Sequence, residues 1–352
     1  MTTRWIVELS IIVGIGVSSG APPLRAGSQG PSPETAGPAR SAEPSVTDFR
    51  VVLLGTGTPN PRPDRFGPST LVEAGSERLV FDCGRSCTTR LWQLKIPLGT
   101  VKLFITHLHS DHTVGIPDLW LTGWLTNPYG TRTEPLMVWG PEGTVAMMSN
   151  LAKAYEADLR MRHRLNDDGP GNVEALVHGE GPARQGFAIA AKDFTEGVVY
   201  QKNGVRVTAF NVSHADVNAF GFRIDYKGHS VVLSGDTRPS ENLVAHARGA
   251  DVVIHEVGMA RQELLDKSEA ARQLLATHHS SPEQAGEEFS RIAPKLAVYT
   301  HFTLLSDKQI PEPTMDELIS RTRTTYRGPL EVGEDLLAIS IGDSVAVQRI
   351  QR

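Results

Sequence analysis

Three histidines and one aspartate fall within residues 107–112, in the segment THLHSDH, directly after residues 101–105, which are apolar but for Lys102. A short apolar run of that kind reads as a buried strand. A strand that delivers His107, His109, Asp111 and His112 at its end needs a sheet whose rim opens onto a site. Side chains alternate along extended chain, which puts His107 and His109 on one side. Asp111 and His112 follow in the turn, where they can face a second ion. Neutral imidazole and carboxylate are ligands that suit zinc. A lone histidine at a strand end is more often structural; four such residues at this spacing point to metal.

The rest of the chain supplies the sheet. "FRVVLLGTG" is a strand running into a glycine turn, "STLVEAG" and "ERLVFDCG" read as a hairpin, and "PLMVWGPEG" reads as a strand, a turn and a helix start. "GVRVTAFNVSH", "AFGFRIDYKG" and "HSVVLSGD" are three more strands. "GADVVIHE" and "KLAVYTHF" follow, and "EDLLAISIGDSVAVQRI" closes as a strand pair. Helices lie between, such as residues 281–292 with Pro282 in the first turn. This pattern predicts an α/β fold of two packed β-sheets with helices outside. Residues 160–186, with Gly169-Pro170-Gly171 and Gly181-Pro182, read as a long mobile loop. The formal net charge of -5 leaves no overall electrostatic footprint for nucleic acid.

Residues 1–26 read as a secretory signal: Arg4 is a short positive region, an apolar run with Glu8 inside it follows, and Ala26 is a small residue at a cleavage point. Residues 27–47, rich in Gly, Pro, Ser and Ala, read as a disordered linker, which leaves residues 48–352 as the folded domain. That places the protein in the periplasm or outside the cell; without a signal it would be cytoplasmic. No other stretch is long enough to span a bilayer. Of the two cysteines, Cys83 reads as a packed turn residue and Cys87 as a free thiol, because neighbouring helical turns rarely suit disulfide geometry.

Single polar residues stand directly beyond later apolar runs: His214 after "VTAFNVS", Asp236 after "VVLSG", His301 after "AVYT". Each alone is weak evidence of a site. Together with "THLHSDHTVGIPDL" they resemble the signature of the metallo-β-lactamase superfamily. "SGDTRPSENL", "IHEVG", "HHSSPEQAGEEFS" and "YTHF" are similar, in the same order, to blocks of its ribonuclease Z-like branch. The resemblance implies an αββα four-layer sandwich with two Zn2+ at the sheet edges. It implies that His107, His109 and His214 hold one ion, that Asp111, His112 and His301 hold the other, and that Asp236 bridges them. Asp82, in "VFDCG", matches an aspartate that supports a ligand histidine from behind; capping the turn before Gly84 is the other reading. Glu256 and His279 match a Glu–His pair whose histidine protonates the leaving oxygen, or they form a polar pair at a helix start.

The expected chemistry is hydrolysis of a phosphodiester. Zinc brings the pKa of bound water toward ~7, so hydroxide is available at neutral pH; Asp111 can orient it, and His279 beside Glu256 can supply a proton. Transfer-RNA 3′-end processing is one alternative. Yet the tight Lys227-Gly228 turn leaves no room for the tRNA-binding arm that many members carry at that point, and in "NPRPDRFG" Pro63 and Phe66 replace the Lys and Asn of a tRNA-contacting pattern. Opening of a β-lactam, ester or lactone is a second alternative. A di-iron redox protein or a non-catalytic binding module is a third, from another class. A homodimer is compatible with the sequence.

Overall fold

The computed structural model describes residues 48–125, 130–166 and 185–351. The expected signal and linker, residues 1–47, lie outside the described residues. The first sheet is built from β1 (Phe49–Gly55), β2 (Ser69–Ala74), β3 (Glu77–Phe81), β4 (Lys102–Phe104), β5 (Leu136–Gly140), β6 (Ile189–Asp193), β14 (Leu337–Ile341) and β15 (Val345–Arg349). Its order is β15-β14-β1-β2-β3-β4-β5-β6. The second sheet holds β7 (Gly197–Lys202), β8 (Val205–His214), β9 (Val217–Tyr226), β10 (His229–Leu233), β11 (Val252–Met259), β12 (Leu296–Leu304) and β13 (Leu330–Val332), in the order β13-β12-β11-β10-β9-β8-β7.

Alternation decides the layers. In β1, Phe49, Val51 and Leu53 face the second sheet, while Val52 and Leu54 face the outer helices, so the strand is buried on both faces. The inter-sheet core centres on an aromatic group. The ring of Phe104 stacks on Trp139 at 4.9 Å and meets Phe222, from the opposite sheet, edge-on at 6.1 Å. Truncating Phe104 to alanine would cost about 3–5 kcal/mol. Outside the first sheet lie α1 (Cys87–Gln93), α3 (Ile116–Gly123), α4 (Thr144–Ala154) and α5 (Glu156–Asn166). The other sheet is covered by α6 (Glu241–Ala247), α9 (Pro282–Ile292) and α10 (Met315–Thr322). The expected αββα sandwich is what forms.

Strand direction positions the site. β3, β4, β5 and β6 pair in parallel, as do β10, β11, β12 and β13. β8 is antiparallel to β9 and β9 to β10, so β8 runs with β10. The C-terminal ends of β8, β10, β11 and β12 therefore share one rim. The β9–β10 hairpin closes through Lys227 (φ 50) and Gly228 (φ 82), the doubly left-handed turn that suits a two-residue hairpin.

Two expectations need correction. Residues 160–166 belong to α5 and are not loop; the Arg160–Glu156 and Arg162–Asp158 pairs lie one turn apart on it. Of the rest of the expected loop, residues 167–184 lie outside the described residues, and residues 185 and 186 begin a 3-10 turn, Gln185–Phe187. Cys83 and Cys87 are bonded to each other, so Cys87 is not a free thiol. Cys83 lies in the turn before α1, with Ser86 in a left-handed conformation between them, and this brings the Cα atoms to 5.4 Å, within disulfide range.

Candidate metal centre

Residues 105–109 leave the first sheet beyond β4, and α2 (Ser110–Thr113) turns the chain back. Asp82, just past β3, ties this segment down. The Thr106 N–H and hydroxyl each donate to its carboxylate at 2.8 Å, and His112 Nδ1 donates to it at 2.8 Å. Asp82 therefore sits behind His112 and Thr106, while the Gly84 N–H goes to the Pro68 carbonyl. Asp82 has φ 58, a left-handed conformation that costs an ordinary residue about 1–3 kcal/mol.

These bonds fix which ring nitrogen is bare. The Thr106 hydroxyl gives its hydrogen to Asp82, so it accepts one from His107 Nδ1, 3.0 Å away. His112 turns Nε2 toward the rim, and so does His107, whose Nε2 carries no hydrogen. His214, at the end of β8, does the same, because its Nδ1 donates to the His278 carbonyl at 2.7 Å. His109 presents Nδ1, 2.9 Å from His107 Nε2 and 3.3 Å from His214 Nε2.

A second group adjoins the first. His301 Nε2 lies 3.3 Å from Asp111 Oδ2 and 3.3 Å from Asp236 Oδ2; His112 Nε2 lies 3.5 Å from each. Asp236 Oδ2 is also 3.9 Å from His214 Nε2, so it reaches both groups. Among the described residues, His107–His109–His214 and Asp111–His112–His301 each bring their ligand atoms within 4.8 Å of one another. Every residue expected at the metal site is therefore at one rim.

The donor set fits metal. Ring lone pairs facing one another at these distances repel unless a cation or a shared proton lies between. His112 Nε2 is buried and has no hydrogen-bond partner. Burial pushes His107 and His109 below the usual histidine range and His214 down to about 4, so these rings stay neutral, as ligands must be. Burial alone would raise Asp236; His301 and His112 overcome it and hold the carboxyl well below its usual range. Burial would lower His112, but Asp236 and Asp82 raise it well above.

His279 follows α8 (Glu269–His278) and precedes α9. Its Nδ1 lies 3.0 Å from Glu256 Oε2, and Glu256 Oε1 accepts the Ser280 N–H at 2.8 Å. The pair joins β11 to the α8–α9 link, so it is not a helix-start pair. Burial would lower His279, but Glu256 more than offsets it and the ring is raised above its ordinary value. The His279 and His301 rings stand 5.9 Å apart. Beside them opens a cleft of about 400 Å³, walled by Pro59, Leu274 and Leu305 on its apolar side.

Sequence reading missed three contributors: Thr106, which relays Asp82 to His107; Ser280, which pins Glu256; and the His278 carbonyl, which orients His214. Thr106 stands within the histidine motif, and asking what fixes each ring's tautomer would have found it.

The model of the β-lactamase superfamily domain matches residues 77–302. Ribonuclease Z of Mycobacterium marinum (strain ATCC BAA-535 / M) is 32% identical over 298 residues, covering 83% of this chain and 99% of that protein. Two solved structures share the fold. The metallo-β-lactamase fold protein YhfI from Bacillus subtilis has a TM-score of 0.60 at 15% identity, covering 82% of this chain and 98% of its own. Human tRNase Z, short form, has a TM-score of 0.57 at 23% identity, covering 83% and 99%. The rim of histidines and aspartates, the sandwich that carries it and the match along most of both chains agree: this chain is a hydrolase of the metallo-β-lactamase superfamily and belongs to its ribonuclease Z family.

Proposed function

We propose that this chain is a two-zinc phosphodiesterase in which His279 protonates an alkoxide leaving group. The observation that carries the reading is the Glu256–His279 pair, 3.0 Å apart and beside the metal-type cluster. In this reading His107, His109 and His214 hold one ion, Asp111, His112 and His301 the other, and Asp236 spans both. Bound zinc would acidify water and withdraw charge from a phosphoryl oxygen. The chain's own part is positional: Asp82, Thr106 and the His278 carbonyl keep the ligand rings in the right tautomer, and Asp111 faces the reacting water. Glu256 keeps His279 protonated and aimed, which matters for a ribose or alkyl oxygen and little for a stable phenolate.

RNA is the first substrate to try, because relatives over most of this length are named Ribonuclease Z. A second reading, a smaller phosphodiester, is favoured by the two-residue β9–β10 turn and by the absence of lysine and arginine among the described residues lining the cleft. We propose export as well. The bonded cysteines support it, since disulfides persist in oxidising compartments.

Purified protein should be assayed with pre-tRNA, bis(p-nitrophenyl) phosphate and nitrocefin, and its metal measured. Phosphodiester cleavage with two zinc ions per chain is expected. Nitrocefin turnover alone, or two iron ions, would replace the reading. His279→Ala should slow an alkyl phosphodiester ~10²- to 10⁴-fold and the nitrophenyl ester far less; equal losses with zinc retained would remove the proton-donor role. Protein from its source cell should start near Gly27, and an intact Met1 in the cytoplasm would end the export proposal.

A further inference from the structure

We infer that the buried pair His255–Glu288 is a positioning device for the metal rim: it grips the Glu256 carbonyl at a β-bulge and so sets both His301 and the Glu256 side chain. Its hydrolytic arm rests on the function proposed above; its metal arm does not.

The bulge is plain in the register. β11 and β12 pair residue for residue through Glu256 with Thr300, and then Val257 pairs with Phe302. His301 is the residue skipped, with φ 44. An extra residue breaks the ladder locally and re-aims one side chain. Here that side chain is one of the rim histidines. The peptide opposite the break is Glu256–Val257, and its carbonyl receives a side-chain bond: His255 Nδ1 lies 2.6 Å from Glu256 O. A carbonyl only accepts, so Nδ1 carries the hydrogen.

The other ring nitrogen is tethered. His255 Nε2 lies 3.1 Å from Glu288 Oε2, and Glu288 Oε1 accepts the Ser240 N–H at 2.7 Å. His255 is 0% exposed and Glu288 3%. Such a buried pair is poor value for stability, since apolar side chains of equal volume usually serve as well. Its worth lies in direction. It ties β11 at the bulge to α9, the helix that begins just after His279 and Ser280, and Ser280 in turn pins the Glu256 carboxylate. One peptide thereby connects a metal-facing ring and the proton-donor pair, and His255 acts on both through the Glu256 carbonyl.

Two near-isosteric variants separate this role from simple packing. Asparagine places its amide nitrogen where Nδ1 stands and keeps the bond to the Glu256 carbonyl. Glutamine reaches to the place of Nε2, keeps Glu288 and loses the carbonyl. Zinc retention is read by chelator competition, folding by the melting temperature of the metal-free protein, and proton donation by the alkyl-to-nitrophenyl rate ratio. His255→Gln should weaken zinc retention ~10-fold or more and lower the rate ratio, with the metal-free melting temperature close to that of His255→Asn. His255→Asn keeps the carbonyl bond but gives up the Glu288 tether, so it should fall between wild type and His255→Gln on both readouts. Equal behaviour of the two variants, or loss in His255→Asn alone, overturns the inference. Should His255→Gln fail to fold, Glu288→Gln decides: it keeps the volume and loosens the tether, so reduced zinc retention is expected and wild-type retention overturns. If the wild type cleaves neither phosphodiester, the proposed function falls, and the zinc measurements still decide the role of His255.

Discussion

Asp82 Oδ2 lies 2.8 Å from His112 Nδ1 and reaches His107 through the Thr106 hydroxyl, so one carboxylate governs a ring in each half of the rim. Asp82→Asn keeps a residue that tolerates the left-handed φ of 58 but weakens the acceptor. Affinity at both sites should fall by ~10- to 100-fold, measured by stepwise chelator titration. Loss at one site alone would show that the Thr106 relay contributes nothing.

Asp236 reaches toward His301, His112 and His214. Asp236→Ala should lower occupancy of both sites together, as read by metal analysis after dialysis. Two tightly held ions in that variant would make Asp236 a ligand of neither.

Gly258 packs directly under His279: a Cβ there would stand 2.5 Å from the His279 Cβ and 2.9 Å from Leu275 Cδ2. Gly258→Ala must push the α8–α9 link outward. Stability should drop by about 1–3 kcal/mol, the usual cost of overpacking. The alkyl-to-nitrophenyl rate ratio should fall as in His279→Ala, with zinc content unchanged. An unaltered ratio would mean that His279 acts from elsewhere.

The Cys83–Cys87 bond closes a short loop behind the metal segment, where Cys83 N–H donates to the His112 carbonyl. Loop-closure entropy for so short a ring is worth about 2 kcal/mol. Replacing both cysteines with serine, or treating with a strong thiol reductant, should lower the melting temperature by several degrees. Identical melting curves with and without reductant would show the bond to be absent in solution.

Much of this was legible in the sequence because the site obeys local rules. His107, His214 and Asp236 stand where apolar runs end, and apolar runs such as residues 51–54 mark the strands themselves. What stayed hidden depends on backbone detail or distant pairing. The link of Cys83 to Cys87 needs the left-handed Ser86, which no composition rule reveals. Residues 160–166 continue a helix because Glu156 and Asp158 pair with Arg160 and Arg162, while the Gly-Pro pairs farther on suggested a loop throughout. His301 looked like a strand end, yet β12 runs on to Leu304. His255 and Glu288 are far apart in sequence, and nothing local in either predicts a partner.

The skipped residue in β12 has one more consequence. In an unbroken strand, positions 299 and 301 would face the same way, and Tyr299 lies among the outer helices. The bulge resets that parity: His301 turns to the rim, and Phe302 joins Tyr299 in the helical layer. The number of residues between Tyr299 and Leu304 is thus constrained as tightly as their identity. Deleting one, even while preserving a histidine, would remove the bulge: Phe302, then two places after Tyr299, would keep its face, and the histidine would take the place of Thr300, on the face that Val298 turns to the opposite sheet, instead of the rim. Homologous chains that share this site should therefore show substitutions along this segment and no gaps.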